Sequence, residues 1–271
     1  MIWRYVQSIN TGLSHQVSKL PCQDAAICRT VSQEIFLGVV SDGAGSACRG
    51  QVGSQLLTEL ILKNLEEHFS YGKEIADISK NSIEEWVQQA LREIDTLAIE
   101  EGLSRRDYAC TLLGAAVTPR GGLFFQIGDG AIVISSNKSY SYIFWPMQGE
   151  YANSTYFVTD LNYLEQLEFE IRNEAIEDLA LFTDGLQRLV LNFQERKVHE
   201  PFFAPMFLRL SQEPNHGLSE ILSQSLARFL DSEDVCKRTE DDKTLILATC
   251  RTTSSKVIDS EEETTSDATQ G

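Results

Sequence analysis

The sequence predicts one α+β domain built on antiparallel strands, and three observations carry that expectation. Two amphipathic helical segments follow each other with no strand between them, a departure from βαβ alternation. Short apolar segments broken by glycine turns then take over. Strand-like segments stand towards both ends of the apolar part of the chain, which argues for one domain over two.

Taken in order, residues 34–40 form an apolar run that ends in Ser41-Asp42-Gly43, the pattern of a buried strand entering a tight turn. From Gly50 the spacing becomes helical, with Val52, Leu56, Leu57, Leu60, Ile61 and Leu65 on one side, fading near Phe69. A second helix is expected to start at a capping box formed by Ser82 and Glu85 and to end at Gly102. Its apolar stripe is Ile83, Trp86, Val87, Ala90, Leu91, Ile94 and Leu97. Residues 111–117, 123–127 and 131–134 follow as strands, the last two read as a hairpin about Gly128-Asp129-Gly130. Residues 141–145 and 155–158 are expected to extend the sheet, and 179–182 is a buried strand that ends in Thr183-Asp184-Gly185. Helical stretches near 204–210 and 218–230 precede a final strand at 244–249. The domain is placed at residues 1–251. Residues 252–271 are rich in Ser, Thr, Asp and Glu without an aromatic, the composition of a disordered acidic tail.

Composition narrows the function. Of 271 residues 42% are hydrophobic, enough for a core, and the formal charge is −17. That charge disfavours binding to nucleic acid and to anionic membranes. No apolar run reaches the roughly 18–20 residues that span a bilayer, and no signal peptide is read at the start, so a cytoplasmic protein is expected. Six cysteines without a C-x-x-C pair, and four scattered histidines, fit reduced structural thiols and no zinc site.

The informative feature is an aspartate repeated beside strands: Asp42, Asp129 and Asp184 after them, Asp24 and Asp241 before them. One Asp-Gly after a strand is usually a plain turn. Several brought to one sheet edge would repel unless cations sat between them, and oxygen-only ligands favour Mg²⁺ or Mn²⁺. Two such ions about 3.5–4 Å apart share a water and lower its pKa towards neutrality, which suits direct attack on a phosphoryl group. The chain has no P-loop, dinucleotide fingerprint, serine elbow or C-x₅-R loop to offer another route.

The motifs Cys22-Gln23-Asp24, Val40-Ser41-Asp42-Gly43-Ala44-Gly45-Ser46, Ile127-Gly128-Asp129-Gly130, Leu181-Phe182-Thr183-Asp184-Gly185-Leu186 and Asp241-Asp242-Lys243-Thr244 stand in one order. In that order the chain resembles the metal-dependent type 2C protein phosphatases, and in particular their divergent bacterial branch. The resemblance implies an αββα sandwich: two antiparallel sheets flanked by helix pairs, with a dinuclear metal site at one end. It implies two Mn²⁺ or Mg²⁺ ions, with a weaker third, and hydrolysis of phosphoserine and phosphothreonine by a metal-bridging hydroxide. The metal residues it implies are Asp24, Asp42, the Gly43 carbonyl, Asp129, Asp184 and Asp241. Asp42, Lys19 and His15 are the implied catalytic residues. Lys19 stands where the family usually has a phosphate-binding Arg, and His15 is its rival as phosphate or proton donor. Gln23 replaces a usual Glu, Asp242 a usual Asn, and Ala44 a His that many eukaryotic relatives carry. The implied partner is a phosphorylated protein, either the target of a Ser/Thr kinase or the kinase itself. The alternative is a weak or inactive phosphatase-fold module that binds such a partner without turnover. Arg105-Arg106 reads either as a docking point for an acidic phosphoprotein segment or as a solvated loop.

Overall fold

The computed structural model describes residues 2–136, 139–147 and 155–251; the expected acidic tail lies outside them. Strands β1 (Arg4–Asn10), β6 (Ala131–Ser136), β7 (Ser139–Tyr142), β9 (Asp178–Phe182), β12 (Gly217–Leu218) and β13 (Lys243–Thr249) make one sheet in the order β12-β1-β13-β9-β6-β7. Strands β2 (Ala25–Val31), β3 (Ile35–Ser41), β4 (Leu112–Thr118), β5 (Gly121–Ile127) and β8 (Glu168–Arg172) make the other, in the order β2-β3-β4-β5-β8. Pairing is antiparallel throughout, except for the short edge strand β12 beside β1. A two-stranded ribbon, β10 (Leu191–Asn192) with β11 (Lys197–Val198), stands apart. The helices are α1 (Leu13–Ser18), α2 (Gly50–Ser70), α3 (Lys80–Glu101), α4 (Tyr163–Gln166), α5 (Gln187–Val190), α6 (Glu200–Ser211), α7 (Glu220–Leu230) and α8 (Glu233–Cys236).

Side-chain alternation explains the layers. On β3, Phe36 and Val40 face the opposing sheet, where they join Trp3, Leu113, Phe124, Leu181 and Ile246. Leu37 and Val39 face the other way, onto Leu57, Ile61 and Leu65 of α2 and Ile83 and Val87 of α3. On β9 and β13, Phe182, Leu245 and Leu247 pack under Phe203 and Phe207 of α6 and Leu226 and Leu230 of α7. Strands covered on both faces read as continuous apolar runs, not alternating ones. The result is helix, sheet, sheet, helix, as the resemblance implies.

Several local expectations shift. Helix α3 begins one turn early because Ser79, not Ser82, is the cap: its hydroxyl accepts from the Ser82 amide at 3.2 Å. Gly102 ends that helix in the left-handed region at φ 68°. Residues 155–158 are not a strand; Val158 donates to the Cys110 carbonyl at 2.9 Å and stays in a loop. The hairpin about Asp129 is also absent: β5 pairs with β4 and β8, whereas β6 pairs with β9 and β7, so Gly128-Asp129-Gly130 carries the chain from one sheet to the other.

Candidate metal centre

Strand register gathers the aspartates. Ala25 pairs with Ser41, which sets Asp24, just before β2, beside Asp42, just after β3. Phe182 pairs with both Leu245 and Ala131, which brings Asp184 after β9 towards Asp241 before β13 and Asp129 before β6. Carboxylate oxygens of Asp42, Asp129 and Asp184 all lie within 4.8 Å of one another. Asp24 is buried next to them, while Asp241 is exposed at the rim.

Each turn is held by named contacts. The Asp42 amide donates to Thr111 Oγ1 at 2.9 Å, and its carbonyl accepts from the Thr111 amide at 2.8 Å. Gly43 donates to the Gln23 carbonyl, and its own carbonyl accepts no hydrogen bond among the described residues. A Cβ there would sit 2.5 Å from the Gly50 backbone carbon, so only glycine fits. Gln126 Nε2 donates to the Gly128 and Gly130 carbonyls at 3.0 and 3.1 Å, which fixes the Asp129 turn from both sides. Gln187 donates to the Asp129 carbonyl. Asp24 Oδ2 accepts from Thr183 Oγ1 at 2.9 Å and Thr244 Oγ1 at 2.7 Å.

The electrostatics call for cations. Burial, then repulsion from Asp24, Asp184, Asp241 and Asp129, holds the Asp42 carboxyl well above the usual carboxylate range. Burial, then Asp129 and Asp241, pushes Asp184 up to about 8. Burial pushes Asp24 up to about 7 against the opposing hydroxyl of Thr244. Asp129 is raised by burial as well, opposed by the hydroxyl of Thr155. Oδ1 of Asp24 and of Asp129 are buried without a hydrogen-bond partner, and among the described residues no Lys or Arg pairs with any of these five acids. Clustered, under-satisfied and all-oxygen, the set fits hard divalent cations.

The sequence-expected residues that fall outside the cluster have other settings. His15, on α1, meets Asp242 Oδ2 through Nδ1 at 2.9 Å. Asp242 also accepts from the Gly12 amide at 2.7 Å and the Gln23 amide at 2.6 Å. Its partners include two backbone amides, the His15 imidazole and the Cys22 thiol, so the extra carboxylate that replaces Asn fastens α1 and the Gln23 turn. Lys19 is exposed and caps α1 in the left-handed region at φ 56°. Thr183 and Thr244 are not singled out by the sequence, although they stand one and three residues from the candidate aspartates Asp184 and Asp241 in the motifs themselves.

Two sheets sandwiched between helices, with a carboxylate cluster on the strand ends at one edge, define a class of metal-dependent hydrolase, and comparison with known proteins makes it specific. Residues 11–231 match the family description "Protein phosphatase 2C", and the chain belongs to that family. It is 37% identical over 253 residues to serine/threonine-protein phosphatase 3 of Escherichia coli (strain K12), covering 92% of this chain and 98% of that protein. Among solved structures it is similar to the serine/threonine phosphatase Stp1 from Staphylococcus aureus, with TM-score 0.58 at 16% identity over 93% of this chain and 96% of that one. It is equally similar to the catalytic domain of the phosphatase PstP in complex with two manganese ions, with TM-score 0.58 at 16% identity over 92% and 98%. No described helix is long and apolar enough to cross a membrane.

Proposed function

We propose that this chain is a metal-dependent protein serine/threonine phosphatase, and the observation that carries the reading is the mutually repelling cluster of Asp42, Asp129 and Asp184. Asp42, the Gly43 carbonyl, Asp24, Asp184 and Asp241 would hold two Mn²⁺ or Mg²⁺ ions, and Asp129 would help to hold a weaker third. Bound there, the ions supply Lewis acidity and a water acidic enough to attack phosphorus near neutral pH. The chain's own residues do the rest. Thr183 and Thr244 orient Asp24. Asp242 holds the His15 ring by Nδ1, and the imidazolium form, protonated at Nε2 as well, would give that second proton to the departing serine or threonine oxygen as the P–O bond breaks. Lys19 serves as a point charge for the phosphoryl group.

The substrate in this reading is a phosphorylated protein, the target of a Ser/Thr kinase or the kinase itself. Six cysteines, none joined in a disulfide among the described residues, fit a reducing cytoplasm, and the charge of −17 disfavours nucleic acid and anionic membranes. The folded unit is proposed to be residues 1–251. Phosphate release from a phosphothreonine peptide should depend on added Mn²⁺, stop on EDTA, and fall at least about a hundredfold in Asp42→Asn with the fold retained. Unchanged turnover in that variant would sink the mechanism. A folded protein with no turnover at any metal concentration would leave the phosphatase-fold binding module instead.

A further inference from the structure

Two adjacent arginines in the 3₁₀ turn Arg105–Tyr108 have different fates. Arg105 makes a two-pronged ion pair with Asp95, through Nε at 2.8 Å and Nη2 at 2.5 Å. Arg106 is exposed, and its guanidinium makes no hydrogen bond or ion pair among the described residues. It lines a cleft of about 410 Å³, together with Ala44, Gly45, Ser46, Phe157 and others, including Thr155 and Asp160.

The cleft adjoins the carboxylate cluster on two sides. Ala44 stands two residues after Asp42 and donates to the Ala109 carbonyl at 2.8 Å, which ties the Asp42 turn to the segment that carries Arg106. Thr155, whose hydroxyl is buried without a hydrogen-bond partner, neighbours Asp129. The one carboxylate on the wall among the described residues, Asp160, is engaged locally: its Oδ2 accepts from the Phe157 amide at 2.8 Å. Among the described residues that line the cleft, Arg106 is the one cation.

We propose that Arg106 is a specificity-determining residue that docks an acidic side chain of the substrate, a few residues from the phosphoserine or phosphothreonine, and thereby selects phosphoproteins acidic around the target site. The proposal rests on the phosphatase reading for its substrate class. The cleft's apolar wall of Ala44, Ala109 and Phe157 takes the peptide's backbone and aliphatic parts, and the guanidinium fork takes the carboxylate.

The test compares p-nitrophenyl phosphate, a phosphothreonine peptide with neutral flanks, and the same peptide with Asp and Glu flanks, on wild type, Arg106→Ala and Arg106→Lys. Expected is a roughly five- to tenfold loss of kcat/KM on the acidic peptide alone in Arg106→Ala, carried by KM and partly restored by lysine. An equal loss on all three substrates would place Arg106 on the phosphoryl group itself and overturn the proposal; so would no loss on any. Fluorescence anisotropy of the two labelled peptides in EDTA scores the docking without turnover. Wild type should hold the acidic peptide more tightly, and Arg106→Ala should bind both alike. If wild type turns over nothing, the phosphatase reading fails while this binding comparison still decides the role of Arg106.

Discussion

Asp24 shows how much of the site rests on residues that do no chemistry. Its Oδ2 depends on two hydroxyls from separate strand ends, Thr183 and Thr244. Replacing Thr244 by the similarly shaped valine removes a donor from a buried carboxylate. It should cost about 1–3 kcal/mol in urea unfolding at pH 8, and serine should restore most of it. The aspartates themselves were legible in the sequence because an Asp-Gly after an apolar run recurs, and recurrence is visible without coordinates. The threonines were not: a hydroxyl that serves a carboxylate 159 or 220 positions away leaves no spacing to read. The same holds for Asp242, three of whose partners, two of them buried amides and the third a half-buried imidazole, lie far off in the sequence.

Among the elements, α1 is the most precariously attached. It is one and a half turns long with no buried residue, and its described ties to the body include the Asp242 contacts and the bonds of Ser14 to the Glu240 carbonyl. Asp242→Ala should therefore lower stability by about 2–4 kcal/mol and speed amide exchange across Leu13–Ser18, with α3 unchanged. Equal exchange in both helices would show that the carboxylate does not hold α1. Long helices and buried strands were readable from periodicity, α2 to within a residue or so. The error at Gly128-Asp129-Gly130 has a physical cause. A glycine turn bends the chain in the same way whether the next strand returns to its neighbour or crosses to another sheet. That choice belongs to β9, which β6 meets 50 or so residues later.

For the whole molecule, the carboxylate cluster ties stability to protons and metal. The folded-state values of Asp24 and Asp184, about 7 and about 8, lie above the roughly 3.9 of an unfolded aspartate. Without metal the folded chain therefore holds more protons than the unfolded one between pH 4 and 8, and stability falls as pH rises across that window. The melting temperature in EDTA should drop by several degrees from pH 5 to pH 8, at about 2–4 °C per kcal/mol. Millimolar Mn²⁺ should abolish or reverse the slope; the same slope with and without Mn²⁺ would mean that the aspartates do not hold it. The strand at the centre of the larger sheet, β13, pairs with β1 and β9 and is the last of the described strands in the sequence. Until it arrives, the first strand of the chain has no antiparallel partner, Asp24 lacks Thr244, and Asp241 is not yet made. A nascent chain that stops short of Asp241 and β13 therefore has Asp42, Asp129 and Asp184 but neither Asp241 nor the Thr244 bond that holds Asp24, so the carboxylate cluster is completed only by this strand.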